Sequence, residues 1–308
     1  MIITPTVVIL GAGASAPYEF DTGADLLARA RMYTADQLEG MLNGAGCGPA
    51  AERLHDALAH TGHSSIDAML ETRDDIARAG KVVIARLLLQ QERAAKDNKF
   101  RNKGGWYHTL FAALDAPTIQ ETLAQPITFV TFNYDRSLEY YLSHALRVKF
   151  SPDEAVAPAD LRKKFIHVHG ELGFLPELGT ESGRIVHFGG SQFGISDGDV
   201  RAAADEIRIV HEPKDDDPRF SLAREAIRNA QRLVFLGFGF APRNLARLDI
   251  KGNLNPTTSV FATATNLSTN QMYKFVDAPF ADWQNKLIGK EKEDAAEFLR
   301  LYPAALES

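Results

Sequence analysis

A short run of β-branched and apolar residues that ends in a glycine-rich turn constrains the fold more than any other feature of this sequence. Residues 7–10 read Val-Val-Ile-Leu and lead directly into Gly-Ala-Gly-Ala-Ser-Ala at residues 11–16. A continuous apolar run of this kind is typical of a parallel strand that is buried on both faces. Similar runs follow at residues 127–132, 164–168, 233–236 and 259–263. Helical patterns separate these runs, so the sequence predicts an α/β fold with a doubly wound, Rossmann-like parallel sheet.

The interval between the first two predicted strands is too long for one crossover helix. Residues 20–125 instead carry several helical patterns, among them residues 24–31, residues 50–59 and a long amphipathic stretch from residue 65 to about residue 96. Glycines make a loop of residues 40–49, and Gly80 is a possible break in the long stretch. We expect a single domain over residues 1–308 with a large helical insertion at approximately residues 20–125.

Composition excludes several classes of protein. The 308 residues hold 34 Lys and Arg against 40 Asp and Glu, a net charge of −6, so direct nucleic-acid binding is not expected. No stretch approaches the roughly 18–20 apolar residues that span a bilayer. Cys47 is the one cysteine, and it can form neither an internal disulfide nor a cysteine-rich zinc site. We expect a cytoplasmic protein with no membrane partner.

The turn after the first strand matches a dinucleotide-binding pattern. Residues 11–16 fit G-x-G-x-x-G/A, in which glycines let the backbone approach a pyrophosphate and helix N–H groups face its charge. A tight strand-to-helix turn needs the same glycines, so the pattern has a purely structural explanation as well. A dehydrogenase would show a second strand that ends in an acidic residue about 20 residues on. Residues 24–29 read as helix, which disfavours that class.

Polar residues and glycines follow two later strands. Asn133 and Asp135 come directly after residues 127–132, at the sheet edge where open α/β folds bind ligands. Asp135 is also a plausible N-cap for a helix over residues 137–146. Residues 237–239, Gly-Phe-Gly, follow the fourth run and fit either a ligand-binding turn or an ordinary one.

Two histidines mark the end of the third strand. His167 and His169 alternate, and in a strand both side chains would face one side. They are candidates for metal ligands, for a catalytic base with a structural neighbour, or for packed residues at a strand end. A metal site usually has more ligands, which Glu171, Asp135 or His187 would supply.

The four strand ends carry Gly-Ala-Gly-x-Ser, Asn-x-Asp, His-Gly and Gly-x-Gly in that order, and in a parallel sheet they line one crevice. In this order and spacing the chain resembles the sirtuin family. It resembles more closely the divergent sirtuin-like domains of bacterial antiphage defence, whose opening is similar to residues 7–27. The similarity is carried by about 60 residues spread over most of the chain.

The resemblance implies a sirtuin-type fold and a role for each motif. It places Asn133 and Asp135 beside the nicotinamide ribose of NAD⁺, and it makes His169, not His167, the catalytic histidine. It assigns NAD⁺ binding to the two glycine turns and to one residue after the fifth strand, namely Gly11, Ala12, Gly13, Ser15, Gly237, Phe238, Gly239 and Asn266.

The chain departs from deacylating sirtuins in three respects. It has no four-cysteine zinc module, since Cys47 stands alone. The Gly-x-Pro-Asp-Phe-Arg stretch of those enzymes corresponds to Tyr-Glu-Phe-Asp-Thr at residues 18–22, which lacks the arginine. No groove for an acylated peptide can be recognised. These departures favour water as the acceptor, with NAD⁺ as substrate and without a metal.

The expected function is therefore that of an NAD⁺ glycohydrolase that releases nicotinamide and ADP-ribose as an antiphage effector. Unregulated NAD⁺ loss is toxic, so we expect gating through assembly: a homo-oligomer and a protein partner, which the resemblance suggests is a HerA-type ATPase or a short Argonaute. Three alternatives stay open. They are a non-enzymatic scaffold that binds NAD⁺ or ADP-ribose, an NAD⁺-dependent deacylase or ADP-ribosyltransferase, and a metallohydrolase built on His167 and His169.

Overall fold

The computed structural model describes most of the chain. The described residues are 1–98, 100, 105–150, 158–179, 184–209, 217–265, 267, 270, 286–290 and 293–306. Asn266, the predicted NAD⁺-binding residue after the fifth strand, lies outside the described residues.

Six parallel strands form one sheet. They are β1 Thr6–Leu10, β2 Ile127–Thr131, β3 Phe165–His167, β4 Arg232–Leu236, β5 Ser259–Ala262 and β6 Lys286–Ile288. Their spatial order is β3-β2-β1-β4-β5-β6, and every neighbouring pair is parallel. This is the strand order of Rossmann-type sheets, so the predicted α/β class with a parallel Rossmann-like sheet is confirmed. The three-residue β6 was not predicted because so short a run carries no periodicity.

The described residues between β1 and β2 form seven α-helices. They are α1 Gly23–Ala30, α2 Ala35–Asn43, α3 Ala51–His60, α4 Ile66–Leu70, α5 Asp74–Asn98, α6 Trp106–Ala113 and α7 Ile119–Ala124. The later helices are α8 Ser137–Lys149, α9 Pro158–Arg162, α10 Asp197–Glu206, α11 Pro218–Asn229, α12 Pro242–Leu248, α13 Ile250–Asn253 and α14 Ala295–Leu301. None of the helices in the described part of the chain is both long and apolar enough to cross a membrane.

Alternate side chains of β1 pack into two separate hydrophobic cores. Val8 and Leu10 belong to a large cluster that includes the buried residues of α1 to α5, whereas Val7 and Ile9 belong to a cluster with α11 and α12. Successive side chains of a strand point to opposite faces, so helices cover both faces of the sheet. The helices of residues 20–125 therefore share one of the two hydrophobic cores of the sheet.

Two local expectations about the insertion are wrong. Residues 40–49 are not all loop, because Gly40 lies within α2. Gly80 does not interrupt the long amphipathic stretch; the break falls between α4 and α5, and α5 continues through Gly80. A Cβ atom at Gly80 would come within 2.3 Å of the Leu70 side chain, so the glycine allows α4 to pack closely against α5.

Candidate functional site

A cavity of about 420 Å³ opens at the carboxyl ends of the central strands. In this strand order the chain first builds β2 and β3 on one side of β1 and then crosses to β4 on the other, and ligands of open α/β sheets bind at such a switch point. The structure brings seven of the sequence-predicted site residues to the cavity wall: Gly11, Ala12, Asn133, Asp135, His169, Phe238 and Gly239.

The two glycine turns pack directly against each other. The Gly13 amide donates to the Gly237 carbonyl at 3.0 Å, and the Gly11 amide donates to Leu236 at 3.1 Å. Gly237 has a φ of +58°, and a Cβ atom there would lie 1.9 Å from the Ala14 nitrogen. A side chain cannot be accommodated at that point. Glycine at this position is thus explained by backbone contact between turns, before any ligand is considered.

Most amides of the first turn are already used inside the protein. The Ala14 and Ser15 amides donate to carbonyls within the turn, the Gly11 amide donates to the last residue of β4, and the Gly13 amide donates to the second turn. Among the described residues, the amides of Ala12 and Ala16 are the two members of this turn with no acceptor, and of the two residues only Ala12 lines the cavity. A ligand phosphate in the cavity would therefore find the Ala12 amide and not a row of amides.

Asn133 is held so that one polar atom remains for a ligand. Its Nδ2 donates to the Gly11 carbonyl at 3.0 Å and to the Ser15 Oγ at 3.2 Å. A carbonyl oxygen only accepts, so the amide nitrogen must be the atom on that side. The Oδ1 atom takes no hydrogen bond from the described residues. It can accept one from a sugar hydroxyl or a water molecule in the cavity.

Asp135 has one oxygen in a hydrogen-bond network and one without such contacts. Its Oδ1 accepts from the Ser15 Oγ at 3.2 Å, from the Ser137 amide at 3.1 Å and from the Ser137 hydroxyl. The predicted N-cap position is wrong, because Ser137 begins α8 and Arg136 is its N-cap. Asp135 lies one residue earlier and still accepts from the first amide of the helix. Burial raises the pKa of Asp135 to about 6, although the serine hydrogen bonds oppose that shift. Oδ2 takes no hydrogen bond from the described part of the chain.

His169 lies in an aromatic and cationic environment. Its ring meets Phe132 edge-on at 5.4 Å and Phe220 at 5.9 Å between centroids. Burial lowers the pKa of His169 to about 4, and the nearby positive charge of Arg247 contributes to that shift. The imidazole is consequently neutral at pH 7, and it can accept a proton only weakly.

His167 has a different environment from His169. The strand ends at His167, which turns toward Glu139 of α8, whereas His169 packs against Phe220 of α11. The expectation that both histidines face one side is wrong, because strand alternation stops where β3 ends. Within the described residues the one group with metal-ligand spacing is Glu139, His167 and Glu171, which does not include His169.

The helical insertion contributes a wall of the cavity that the sequence did not indicate. Asp67 of α4 accepts a hydrogen bond from the Tyr134 hydroxyl at 2.5 Å, and both residues line the cavity. Burial raises the pKa of Asp67. Glu71, at the end of α4, forms ion pairs with Arg243 and Arg247 of α12. Tyr134 stands inside the Asn-x-Asp motif, yet no signal in the sequence connects it with Asp67, 67 positions away.

Comparison with known proteins adds no assignment: no protein-family model matches this chain, and no curated protein matches it.

Proposed function

We propose that this protein is an NAD⁺ glycohydrolase that cleaves NAD⁺ to nicotinamide and ADP-ribose. The observation that carries the proposal is the meeting of Asn133, Asp135 and His169 with both glycine turns at one cavity of about 420 Å³. Pockets at the switch point of a parallel sheet are the usual ligand sites of this architecture. The sirtuin-like order of the motifs supplies the identity of the ligand.

The residues suit a reaction in which the leaving group needs no proton. Nicotinamide leaves the cationic pyridinium form of NAD⁺ as a neutral base, so no general acid is required. Positive charge then develops on the ribose, and the buried Asp135 carboxylate can stabilise it electrostatically. Asn133 can orient a ribose hydroxyl or the attacking water through Oδ1.

His169 would serve as a weak proton acceptor late in the reaction. Its pKa of about 4 makes it a poor base for activating water in advance. An oxocarbenium-like centre reacts with neutral water, so the histidine has to take the proton only as the new bond forms. Water is the acceptor in this proposal for two reasons. The single cysteine cannot form the zinc module of deacylating sirtuins, and no groove for an acylated peptide can be recognised from the sequence.

In the cell this activity would act as an antiphage effector that is gated by assembly. The proposed assembly is a homo-oligomer with a protein partner of the HerA-type ATPase or short Argonaute class. The insertion supports such gating because α4 forms part of the cavity wall and contacts the site through the Tyr134–Asp67 hydrogen bond. A partner that shifts α4 would change the cavity directly.

The test is incubation of the full chain with NAD⁺, with and without candidate partners, followed by chromatography of the products. We expect nicotinamide and free ADP-ribose in equal amounts. Asn133→Ala and His169→Ala should abolish both, whereas the exposed His63→Ala serves as a folded control with parental activity. Parental rates in the Asn133 and His169 variants would refute the assignment.

The products of this incubation, together with a binding measurement, separate the alternatives. O-acyl-ADP-ribose or a modified protein would indicate transfer to an acceptor other than water. Calorimetric binding of NAD⁺ without turnover, in the presence of partner, would indicate a scaffold.

A further inference from the structure

A second set of charged groups lies next to the cavity, and its central pair is almost completely buried. His167 and Glu139 have side chains that are 2% and 4% exposed. The His167 Nδ1 lies 3.1 Å from the Asn133 backbone oxygen, and its Nε2 contacts the Glu139 Oε1. His167 thereby touches the backbone of a proposed catalytic residue without lining the cavity itself.

Both ring nitrogens of His167 face atoms that accept hydrogen bonds. The Asn133 carbonyl oxygen has no proton to give. The Glu139 carboxylate has none either when it is ionised. Burial raises its pKa, but the charges of His167 and Arg162 and the hydrogen bonds that the carboxylate accepts outweigh burial and leave the pKa below its usual value. Two acceptors require two N–H donors, and only the imidazolium form of histidine has both.

The surrounding charges are balanced around an imidazolium. Glu171 Oε2 lies 4.0 Å from the His167 Nε2, and the Arg162 guanidinium of α9 binds the other Glu171 oxygen at 2.5 Å. With His167 protonated, the cluster holds two cations, His167 and Arg162, and two carboxylates, Glu139 and Glu171. Its net charge is then zero. A divalent ion among Glu139, His167 and Glu171 would have to displace the Nε2 proton and sit beside Arg162, so an ion-pair network describes the cluster better than a metal site.

We propose that His167 is a positioning residue: a buried imidazolium that holds the Asn133 carbonyl and thereby fixes the Asn133 side chain toward the cavity. The effect of His167 on catalysis rests on the proposed NAD⁺ cleavage. The charge state of His167 does not depend on that function.

The network predicts an alkaline limit to activity. Burial lowers the pKa of His167, but the charges of Glu171 and Glu139 outweigh burial and raise it above its usual value, with Arg162 opposing them. The neutral ring keeps one N–H, and that proton stays on Nε2 because the Glu139 carboxylate is a stronger acceptor than a carbonyl oxygen. The hydrogen bond from Nδ1 to the Asn133 carbonyl is therefore present below the folded-state pKa of His167 and is lost as the pH rises through it. Glu139→Gln removes one of the two carboxylates, and the loss should then occur at lower pH.

The deciding measurement is ¹⁵N NMR of the histidine rings in the full chain without NAD⁺. At pH 7 we expect both His167 nitrogens to be protonated. In Glu139→Gln that titration should move to lower pH, and the Asn133 side-chain amide signals should shift with it. A single bare ring nitrogen on His167 at pH 7, or a stoichiometric bound metal, would overturn the proposal.

Kinetics of nicotinamide release supply the second readout. In Glu139→Gln the alkaline limb of the pH profile should move to lower pH. Above the new limb kcat should fall by about 10²-fold, the scale of a ~1 Å misplacement, while KM changes little. His144→Gln, an exposed histidine on the same helix, is the matched control and should leave both limbs unchanged. If the parent chain does not cleave NAD⁺ at all, the proposed function fails, and the NMR result still decides the state of His167.

Discussion

Glu92 and Arg136 form an ion pair in which both side chains are fully buried. The two Glu92 oxygens accept from the Arg136 Nε at 3.1 Å and Nη2 at 2.6 Å. Arg136 also donates to the carbonyls of Gly173 and Val186. Glu92 belongs to α5 of the insertion, and Arg136 directly follows Asp135. The pair therefore joins the insertion to the turn that carries the proposed catalytic residues.

We expect Glu92→Gln to destabilise the protein by about 3–5 kcal/mol, because it leaves the Arg136 charge buried without its counter-ion. Denaturant unfolding followed by circular dichroism measures this. Asp160→Asn breaks an exposed pair with Lys163 and should cost less than about 1 kcal/mol. Equal losses in the two variants would contradict the structural role given to the buried pair.

The two glycines of the second turn should respond differently to alanine. Gly237→Ala combines a positive φ with a backbone clash at Ala14, so we expect a loss of at least about 2–3 kcal/mol. At Gly239 a Cβ atom meets nothing within 4 Å, and Gly239→Ala should stay within about 0.5 kcal/mol of the parent. Thermal unfolding tests both. If Gly239→Ala keeps its stability but binds NAD⁺ more weakly in calorimetry, that result would indicate that NAD⁺ lies against the Gly239 backbone.

Asp135→Asn should make the protein more stable and inactive at pH 7. Burial raises the folded-state pKa of Asp135 from 3.8 to about 6, so the folded protein binds more protons than the unfolded chain between those values. Stability from this group therefore falls as the pH rises through that window. The variant should gain on the order of 2–3 kcal/mol at pH 7 and little at pH 3.5. A gain that is the same at both pH values would contradict the burial of a charged Asp135.

The acidic limb of kcat/KM for nicotinamide release should lie near pH 6, because protonation removes the Asp135 charge. His169 should not contribute until about pH 4. In kcat the limb should move to lower pH, since the bound pyridinium cation favours the carboxylate form. A limb at pH 6.5 in both parameters would indicate an ordinary histidine instead.

Sequence reasoning found the elements whose signals are local. β1, β2 and β4 read as apolar β-branched runs, and Asn133, Asp135 and His169 follow strand ends, which in a parallel sheet meet at one edge. These features need no knowledge of distant contacts.

What sequence reasoning missed depends on pairs that are far apart in the chain. Glu92 looks like one more polar residue of an amphipathic helix, and nothing local distinguishes it from its exposed neighbours. The Tyr134–Asp67 and His167–Glu139 contacts likewise form only when α4 and α8 pack against the sheet. The helix α10 also lacks a clear local signal, because its acidic first turn and alanines give little periodic contrast.

The position of β1 in the sheet also affects how the chain emerges from the ribosome. Both neighbours of β1 come late, with β2 beginning at Ile127 and β4 at Arg232. At synthesis rates of ~5–20 residues per second, the first strand waits roughly ten seconds for β2 and longer for β4. Throughout that time its apolar edge is open to other nascent chains. The helices of residues 20–125 make local contacts that can form early, so they can shelter this strand before its partners exist.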